Sequence, residues 1–173
     1  MIGSILVSLA QRLNQLDDDS LKAGLTQCCA AQGWVQAMID ARPYADDAAV
    51  VQQAAEVWDS LQPADWLEAF LAHPKIGDVE SLRAKFANTR EWASNEQAGV
   101  NEASAAVLQR LSEMNREYEA KFGYIFIVCA TGKSAAEMVA ILESRLPNDS
   151  ATELRTAAQE QLKITLLRLQ KLA

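Results

Sequence analysis

One run of residues limits the folds open to this chain. Residues 122–130 (Phe-Gly-Tyr-Ile-Phe-Ile-Val-Cys-Ala) are apolar, β-branched and aromatic, a composition typical of a β-strand. No second run of this kind is present to pair with it, and a lone strand cannot form a sheet. We therefore expect an extended buried segment near residues 124–130, lying between helices. Its backbone groups must find other partners, either a ligand or the neighbours of a plain helix-to-helix connection.

Helical periodicity covers most of the remaining sequence. Half of the 173 residues are apolar but only 6% are aromatic, so Leu, Ala, Val and Ile must build the core, which favours helices. We predict an all-α fold, a compact single domain over residues 1–173 with about eight or nine helices. The predicted helices are 2–15, 20–31, 33–41, 45–60, 63–72, 79–87, 95–121, 134–146 and 151–172. Three starts match the capping-box pattern: Ser94-x-x-Gln97, Ser134-x-x-Glu137 and Ser150-x-x-Glu153.

Charge and cysteine content exclude several classes of function. The net charge of −7 argues against nucleic-acid and anionic-membrane partners, because both need a basic surface. No apolar run is long enough to span a membrane, and residues 1–10 lack the basic leader of a signal peptide. The three cysteines form no disulfide framework, so we expect reduced thiols and a cytoplasmic protein. One histidine without a Cys-x-x-Cys pair argues against a metal site.

His73 is the only histidine of the chain and therefore a candidate proton carrier, because imidazole titrates near neutral pH. Pro74 disfavours a helical backbone at His73, so we expect His73 to project from a helix end into a loop. The alternative is a helix-stop signal whose imidazole caps the last carbonyls of that helix.

Two charged residues lie beside predicted apolar faces. Glu96 is in helical register with the apolar stripe of the longest helix, where a carboxylate must be either paired or functional. Arg168 adjoins the apolar face of the last helix. Its guanidinium either extends to solvent or points inward to bind a carboxylate or a urea-like group.

Several short segments carry a resemblance to a known enzyme family. They are Ala72–Gly77, Ser94–Gly99, Asn115–Tyr118, Lys121–Ala130, Arg145–Asn148 with Glu153, and Lys163–Ile164 with Arg168–Leu169. With them the chain resembles the decarboxylases that act on 2-oxo-4-hydroxy-4-carboxy-5-ureidoimidazoline (OHCU) in urate breakdown. Two features depart from the family. Tyr124-Ile125-Phe126 stands where Phe-Pro-Phe is common, and Gln170–Ala173 does not match a peroxisomal signal, which favours a bacterial cytoplasmic form.

The resemblance implies an all-helical enzyme, commonly a homodimer, that needs no cofactor and converts OHCU to (S)-allantoin and CO2. It implies that His73 is catalytic with Glu96 as its acidic partner, and that Arg168 binds substrate. The other implied substrate-binding residues are Pro74, Ser94, Gln97, Phe126, Ile127, Val128 and Ala130. Two other functions stay open: a non-enzymatic helical adaptor, or a related cofactor-free lyase or isomerase that acts on another ureido acid.

Overall fold

The computed structural model describes residues 6–75, 79–86 and 98–172, and within these ranges the chain forms nine α-helices and no strand. The predicted all-α fold is confirmed. The helices are α1 (Leu9–Gln15), α2 (Asp18–Cys28), α3 (Gln32–Asp40), α4 (Asp47–Ser60), α5 (Pro63–Leu71), α6 (Val79–Lys85), α7 (Ala98–Phe122), α8 (Ala135–Arg145) and α9 (Ser150–Gln170).

Capping side chains explain where two of these helices begin. The predicted start of the first helix at residue 2 is wrong over residues 6–8, because Ser8 and Gln11 form a reciprocal capping box that begins α1 at Leu9. The predicted cap at Ser134 is confirmed, since its side chain accepts a hydrogen bond from the backbone N–H of Glu137.

The predicted capping box at Ser150 is wrong. Ser150 is already the first residue of α9, and Asp149 caps the helix by accepting the N–H of Thr152 at 2.7 Å. A carboxylate one residue earlier satisfies the orphan amide, because aspartate is among the best N-cap residues. Glu153 is thereby left to make a different contact, described below.

The helices are grouped in two compact units, Met1–Ala72 with Ala158–Ala173 (unit 1) and His73–Ala157 (unit 2). The single domain over residues 1–173 stays a prediction.

Unit 1 contains α1–α5 and the carboxyl-terminal part of α9. Within it α3 packs against α2, α4 and α5, and α1 packs against α4. Two fully buried tryptophans satisfy their indole N–H groups on main-chain carbonyls, Trp34 on Ala54 at 3.2 Å and Trp58 on Ala158 at 2.8 Å. Burial of such large rings supplies much of the stabilisation of this unit without leaving polar atoms unpaired.

Unit 2 contains α6, α7, α8 and the first part of α9, and α7 packs against both α6 and α8. The stripe predicted for the longest helix is half-buried at Val107 and buried at Leu111, Met114 and Tyr118. It forms one core with Leu108 of the same helix and with residues in or next to α6 and α8: Leu82, Phe86, Ala135, Met138 and Leu142. Glu96, at the start of the predicted stripe, lies outside the described residues.

Candidate active site

His73 lies just beyond the end of α5. That helix starts with Pro63 at its first position and ends at Leu71, after which Ala72 serves as the C-cap. His73 is half-buried and Pro74 is exposed, so the imidazole sits at a helix end as expected from the sequence. The next residue, Lys75, forms an ion pair with Glu119 of α7 at 3.0 Å. The catalytic role of His73 and the binding role of Pro74 stay predictions.

The segment that follows α7 is non-helical, as expected, and it is buried at two positions and half-buried at the others. Gly123 ends the helix with φ of 85°, a left-handed conformation that glycine adopts without strain. Residues 125–130 form neither helix nor strand. Ile127 and Cys129 are buried, and Phe126, Val128 and Ala130 are half-buried and pack against the core of unit 2. Residues 124–130 are called the connecting segment below.

Arg145, the last residue of α8, is the main polar partner of the connecting segment. Its Nη1 donates to the carbonyl oxygen of Ile127 at 2.8 Å, and its Nε lies 2.5 and 3.2 Å from the carboxylate oxygens of Glu153. The guanidinium also lies 4.7 Å from the ring centroid of Phe126. One buried cation thus holds both the main chain and a side chain of the segment.

Tyr118 of α7 lies beside the same guanidinium. Its ring centroid lies 5.9 Å from the Arg145 guanidinium carbon and 5.2 Å from the ring centroid of Phe126, in an edge-on arrangement. Burial raises the pKa of Tyr118 strongly, and burial also raises the pKa of Tyr124. Both phenols therefore remain neutral over the physiological range and cannot neutralise Arg145, which leaves that task to Glu153.

Lys133 holds the other end of the connecting segment. Its Nζ donates to the carbonyl oxygen of Cys129 at 2.7 Å, and its backbone N–H donates to the carbonyl oxygen of Ala130 at 3.0 Å. Gly132, with φ of 76°, allows the chain to turn back for these contacts. Two cations thus bind main-chain carbonyls that a strand would have paired with another strand.

Sequence reasoning did not assign site roles to Arg145 and Lys133. A signal for Arg145 is present, because it continues the buried stripe of α8 that comprises Ala135, Met138 and Leu142. An arginine in register with an apolar stripe must find a buried partner. Lys133 gives no comparable signal, since its contact depends on the turn that precedes α8.

Arg168 belongs to unit 1. It is half-buried, and its Nη1 donates to the carbonyl oxygen of Gln27 at 3.3 Å. Burial raises the pKa of both Cys28 and Cys29 to about 11, although the positive charge of Arg168 acts in the opposite direction. These free thiols stay protonated at neutral pH and are poor nucleophiles. The two thiols therefore do not neutralise the charge of Arg168.

Three predicted site residues, Ser94, Glu96 and Gln97, lie outside the described residues, so their roles stay predictions. Among the residues that are described, no group of three or more His, Cys, Asp or Glu side chains is placed to hold a metal ion. The described helices include none that is both long and apolar enough to cross a bilayer. Unit 2 thus contains a helix-end imidazole and a cation-bound main-chain segment, and unit 1 contains the guanidinium of Arg168.

The family model for OHCU decarboxylase matches residues 14–170. A crystal structure of OHCU decarboxylase in the presence of (S)-allantoin matches with a TM-score of 0.67 and 34% sequence identity, over 91% of this chain and 98% of that one. The chain belongs to the OHCU decarboxylase family.

Relatives of the chain occur as short proteins and within longer ones. It is 31% identical to the 2-oxo-4-hydroxy-4-carboxy-5-ureidoimidazoline decarboxylase of Amia calva, over 75% of this chain and 73% of that protein. It is 39% identical to the uric acid degradation bifunctional protein TTL of Arabidopsis thaliana, over 84% of this chain but 45% of that protein. It spans 25% of the uric acid degradation bifunctional protein of Bacillus sp. (strain TB-90).

Proposed function

We propose that this chain catalyses the cofactor-independent decarboxylation of OHCU to (S)-allantoin and CO2, a step of urate catabolism. The observation that carries the proposal is the family match over residues 14–170, together with 34% identity to an OHCU decarboxylase crystallised with (S)-allantoin. The non-helical, cation-bound segment in an otherwise helical unit supports it, because such a main chain offers hydrogen-bonding groups to a ligand.

The reaction needs positioning and proton transfer more than an electron sink. The C–C bond to the carboxylate breaks, CO2 leaves, and the electron pair stays on the ring, where adjacent carbonyl and imine-like groups delocalise it. The ring then takes up one proton on one face, which gives a single enantiomer. The protein must orient the carboxylate, stabilise the developing charge and direct that proton.

His73, assisted by Glu96, is the residue proposed to handle the hydroxyl proton during loss of CO2. Its half-buried position at the end of α5 supports this role, because a proton carrier must reach both the substrate and an exchange path to solvent. Glu96 would set the charge and orientation of the imidazole. The support for Glu96 is the family resemblance alone.

Substrate binding is assigned to Arg168 and to groups around the connecting segment. Arg168 would bind the carboxylate or the ureido group, supported by its charge beside neutral thiols. The backbone of residues 126–130 would contact the substrate ring. This assignment is supported by the hydrogen bonds with which Arg145 and Lys133 fix that backbone. The family resemblance adds Pro74, Ser94 and Gln97.

A cytoplasmic homodimer is the proposed form of the protein. The cytoplasm is supported by three buried cysteines that remain free thiols, as a reducing compartment allows. The homodimer rests on the resemblance, and light scattering coupled to size-exclusion chromatography would test it.

The decisive experiment generates OHCU in situ from urate with urate oxidase and hydroxyisourate hydrolase, then adds this protein. Near-ultraviolet circular dichroism follows the (S)-allantoin signal. We expect rapid growth of that signal with the native chain and a rate roughly 10²- to 10⁴-fold lower with His73→Ala, the usual loss for a general acid–base group. The far-ultraviolet spectrum and thermal midpoint of His73→Ala should match those of the native chain.

Each other result has a distinct meaning. An unchanged rate in His73→Ala would remove His73 from the mechanism but leave the reaction. No acceleration by folded native protein, combined with turnover of another ureido acid, would favour the related lyase or isomerase. No turnover of any ureido acid would favour the helical adaptor.

A further inference from the structure

Two cations bind alternate carbonyls of the connecting segment. The guanidinium of Arg145 contacts the carbonyl oxygen of Ile127 at 2.8 Å, and the ammonium of Lys133 contacts that of Cys129 at 2.7 Å. Hydrogen bonds from a charged donor are roughly twice as strong as neutral ones. The peptide units 127–128 and 129–130 are therefore the polarised units of this segment.

Polarisation of a peptide unit acts on its N–H as well as on its carbonyl. In a trans peptide the carbonyl of one residue and the N–H of the next point in opposite directions. The N–H groups of Val128 and Ala130 thus point away from the cations that bind their peptide units. A cation on the carbonyl withdraws electron density and strengthens the N–H as a donor, as in cooperative hydrogen-bond chains.

Both amides are available to an acceptor. Val128 and Ala130 are half-buried. Within the part of the chain that the structure describes, neither N–H donates a hydrogen bond. A bound ligand can therefore accept hydrogen bonds from both amides and complete the pairing that the segment lacks.

The geometry points to Arg145 and Lys133 as positioning residues that polarise the Val128 and Ala130 amides toward the negative charge formed as CO2 leaves. This inference rests on the proposed function and adds to it a device for stabilising the transition state. Preorganised main-chain donors serve such charge well, because they need no reorganisation during the reaction.

The two cations contribute unequally. Arg145 is neutralised by Glu153 at 2.5 Å, whereas Lys133 forms no ion pair with any residue in the described ranges. Lys133 therefore supplies the greater net positive potential to the segment. Its removal leaves the Cys129 carbonyl without that donor but strands no buried charge, unlike removal of Arg145, so Lys133 is the better residue for a test.

Lys121 provides a matched control. Its ammonium also donates to main-chain carbonyls of unit 2, those of Leu146 and Asn148, which lie outside the connecting segment. Lys121→Met and Lys133→Met each remove one carbonyl-bound ammonium and keep the apolar stem. A role in folding alone would affect both variants in the same way.

The experiment measures kcat, KM and thermal midpoint for the native chain, Lys133→Met, Lys133→Arg and Lys121→Met with OHCU generated in situ. We expect kcat of Lys133→Met to fall roughly threefold to tenfold with little change in KM, since weaker polarisation affects mainly the transition state. Lys133→Arg should restore most of kcat. Lys121→Met should lower the midpoint and leave kcat unchanged.

A second measurement tests polarisation without turnover. In protein labelled with ¹⁵N-alanine, the amide proton resonance of Ala130 should move upfield in Lys133→Met and return in Lys133→Arg. An active native chain with unchanged kcat and an unmoved Ala130 resonance in Lys133→Met would overturn the inference alone. A folded native chain without decarboxylase activity would overturn the proposed function, and the catalytic part of this inference with it.

Discussion

Arg145 and Arg168 both lie beside apolar helix faces, yet the regions around them differ. Arg145 is 5% exposed and is held by the Glu153 carboxylate, the Ile127 carbonyl and the Phe126 ring. Arg168 is half-buried, donates to a single carbonyl at 3.3 Å and forms no ion pair within the described ranges. The same side chain thus occurs once with its donors engaged and once with most of them available.

The difference predicts a different role for each arginine: Arg145 supports the backbone, and Arg168 binds substrate. A buried guanidinium that is already neutralised cannot attract an anionic ligand strongly, but it can fix the backbone that it contacts. A half-buried guanidinium beside protonated thiols retains its charge for a carboxylate. Changes at the first arginine should therefore affect stability first, and changes at the second should affect substrate binding first.

The largest expected effect is that of Arg145→Met alone. It leaves the Glu153 carboxylate, which is fully buried, without its cation, so we expect a loss of about 3–5 kcal/mol in the free energy of unfolding. The double variant Arg145→Met, Glu153→Leu removes both charges and should recover most of that loss. Chemical denaturation monitored by circular dichroism measures both. Equal stability of the single and double variants would show that the loss does not come from leaving the buried Glu153 carboxylate unpaired.

Arg168→Met should show the opposite pattern. We expect its free energy of unfolding to change by less than about 1 kcal/mol, because a half-buried arginine with one carbonyl contact contributes little. Its kcat/KM for OHCU should fall about a hundredfold, the usual scale for losing a charge-assisted contact to substrate. Steady-state kinetics provides the measurement, and Arg168→Lys is the control that keeps the charge but not the planar fork. A stability loss as large as that of Arg145→Met would contradict the comparison.

The two arginines also show what could be predicted from the sequence. The helices were predictable because apolar periodicity and Pro63 and Ser134 mark their faces and starts. The connecting segment was predictable because a lone strand-like run has no partner. The partners of this segment could not be predicted from the sequence, because the contact from Arg145 to Ile127 spans 18 positions and depends on how α8 packs.

The contact of Glu153 also could not be predicted from the sequence. Sequence spacing predicts that it belongs to a capping box, and Asp149 takes that role instead. Local patterns identify a carboxylate near a helix start, but burial decides whether it caps the helix or pairs with a cation. The roles proposed for Glu96 and Arg168 come from the family resemblance for this reason, because spacing alone leaves both interpretations open.

A smaller effect concerns the thiols beside Arg168. Burial raises the pKa of Cys28 and Cys29 from 9.0 to about 11. Above about pH 9 the unfolded thiols ionise while the folded ones keep their protons, so stability falls as pH rises. We expect a loss on the order of 2 kcal/mol between about pH 8 and about pH 10. The variant Cys28→Ala, Cys29→Ala should show a flatter dependence in urea denaturation. An identical slope in that variant would mean that the thiols do not cause the fall.

The smallest effect separates the two carboxylates near the start of α9. Asp149 is exposed and its pKa is lowered by the hydrogen bond from the N–H of Thr152, so its charge stabilises the helix end. Asp149→Ala should lower the thermal midpoint by about 3 °C, whereas Ser150→Ala should leave it unchanged. An equal fall in the thermal midpoint of the two variants would show that Ser150 also caps the helix. Glu153 stays paired with Arg145 in both variants, so neither variant should change kcat. The cap at Asp149 would then affect only the stability of the helix end, and the Arg145–Glu153 pair would support the connecting segment.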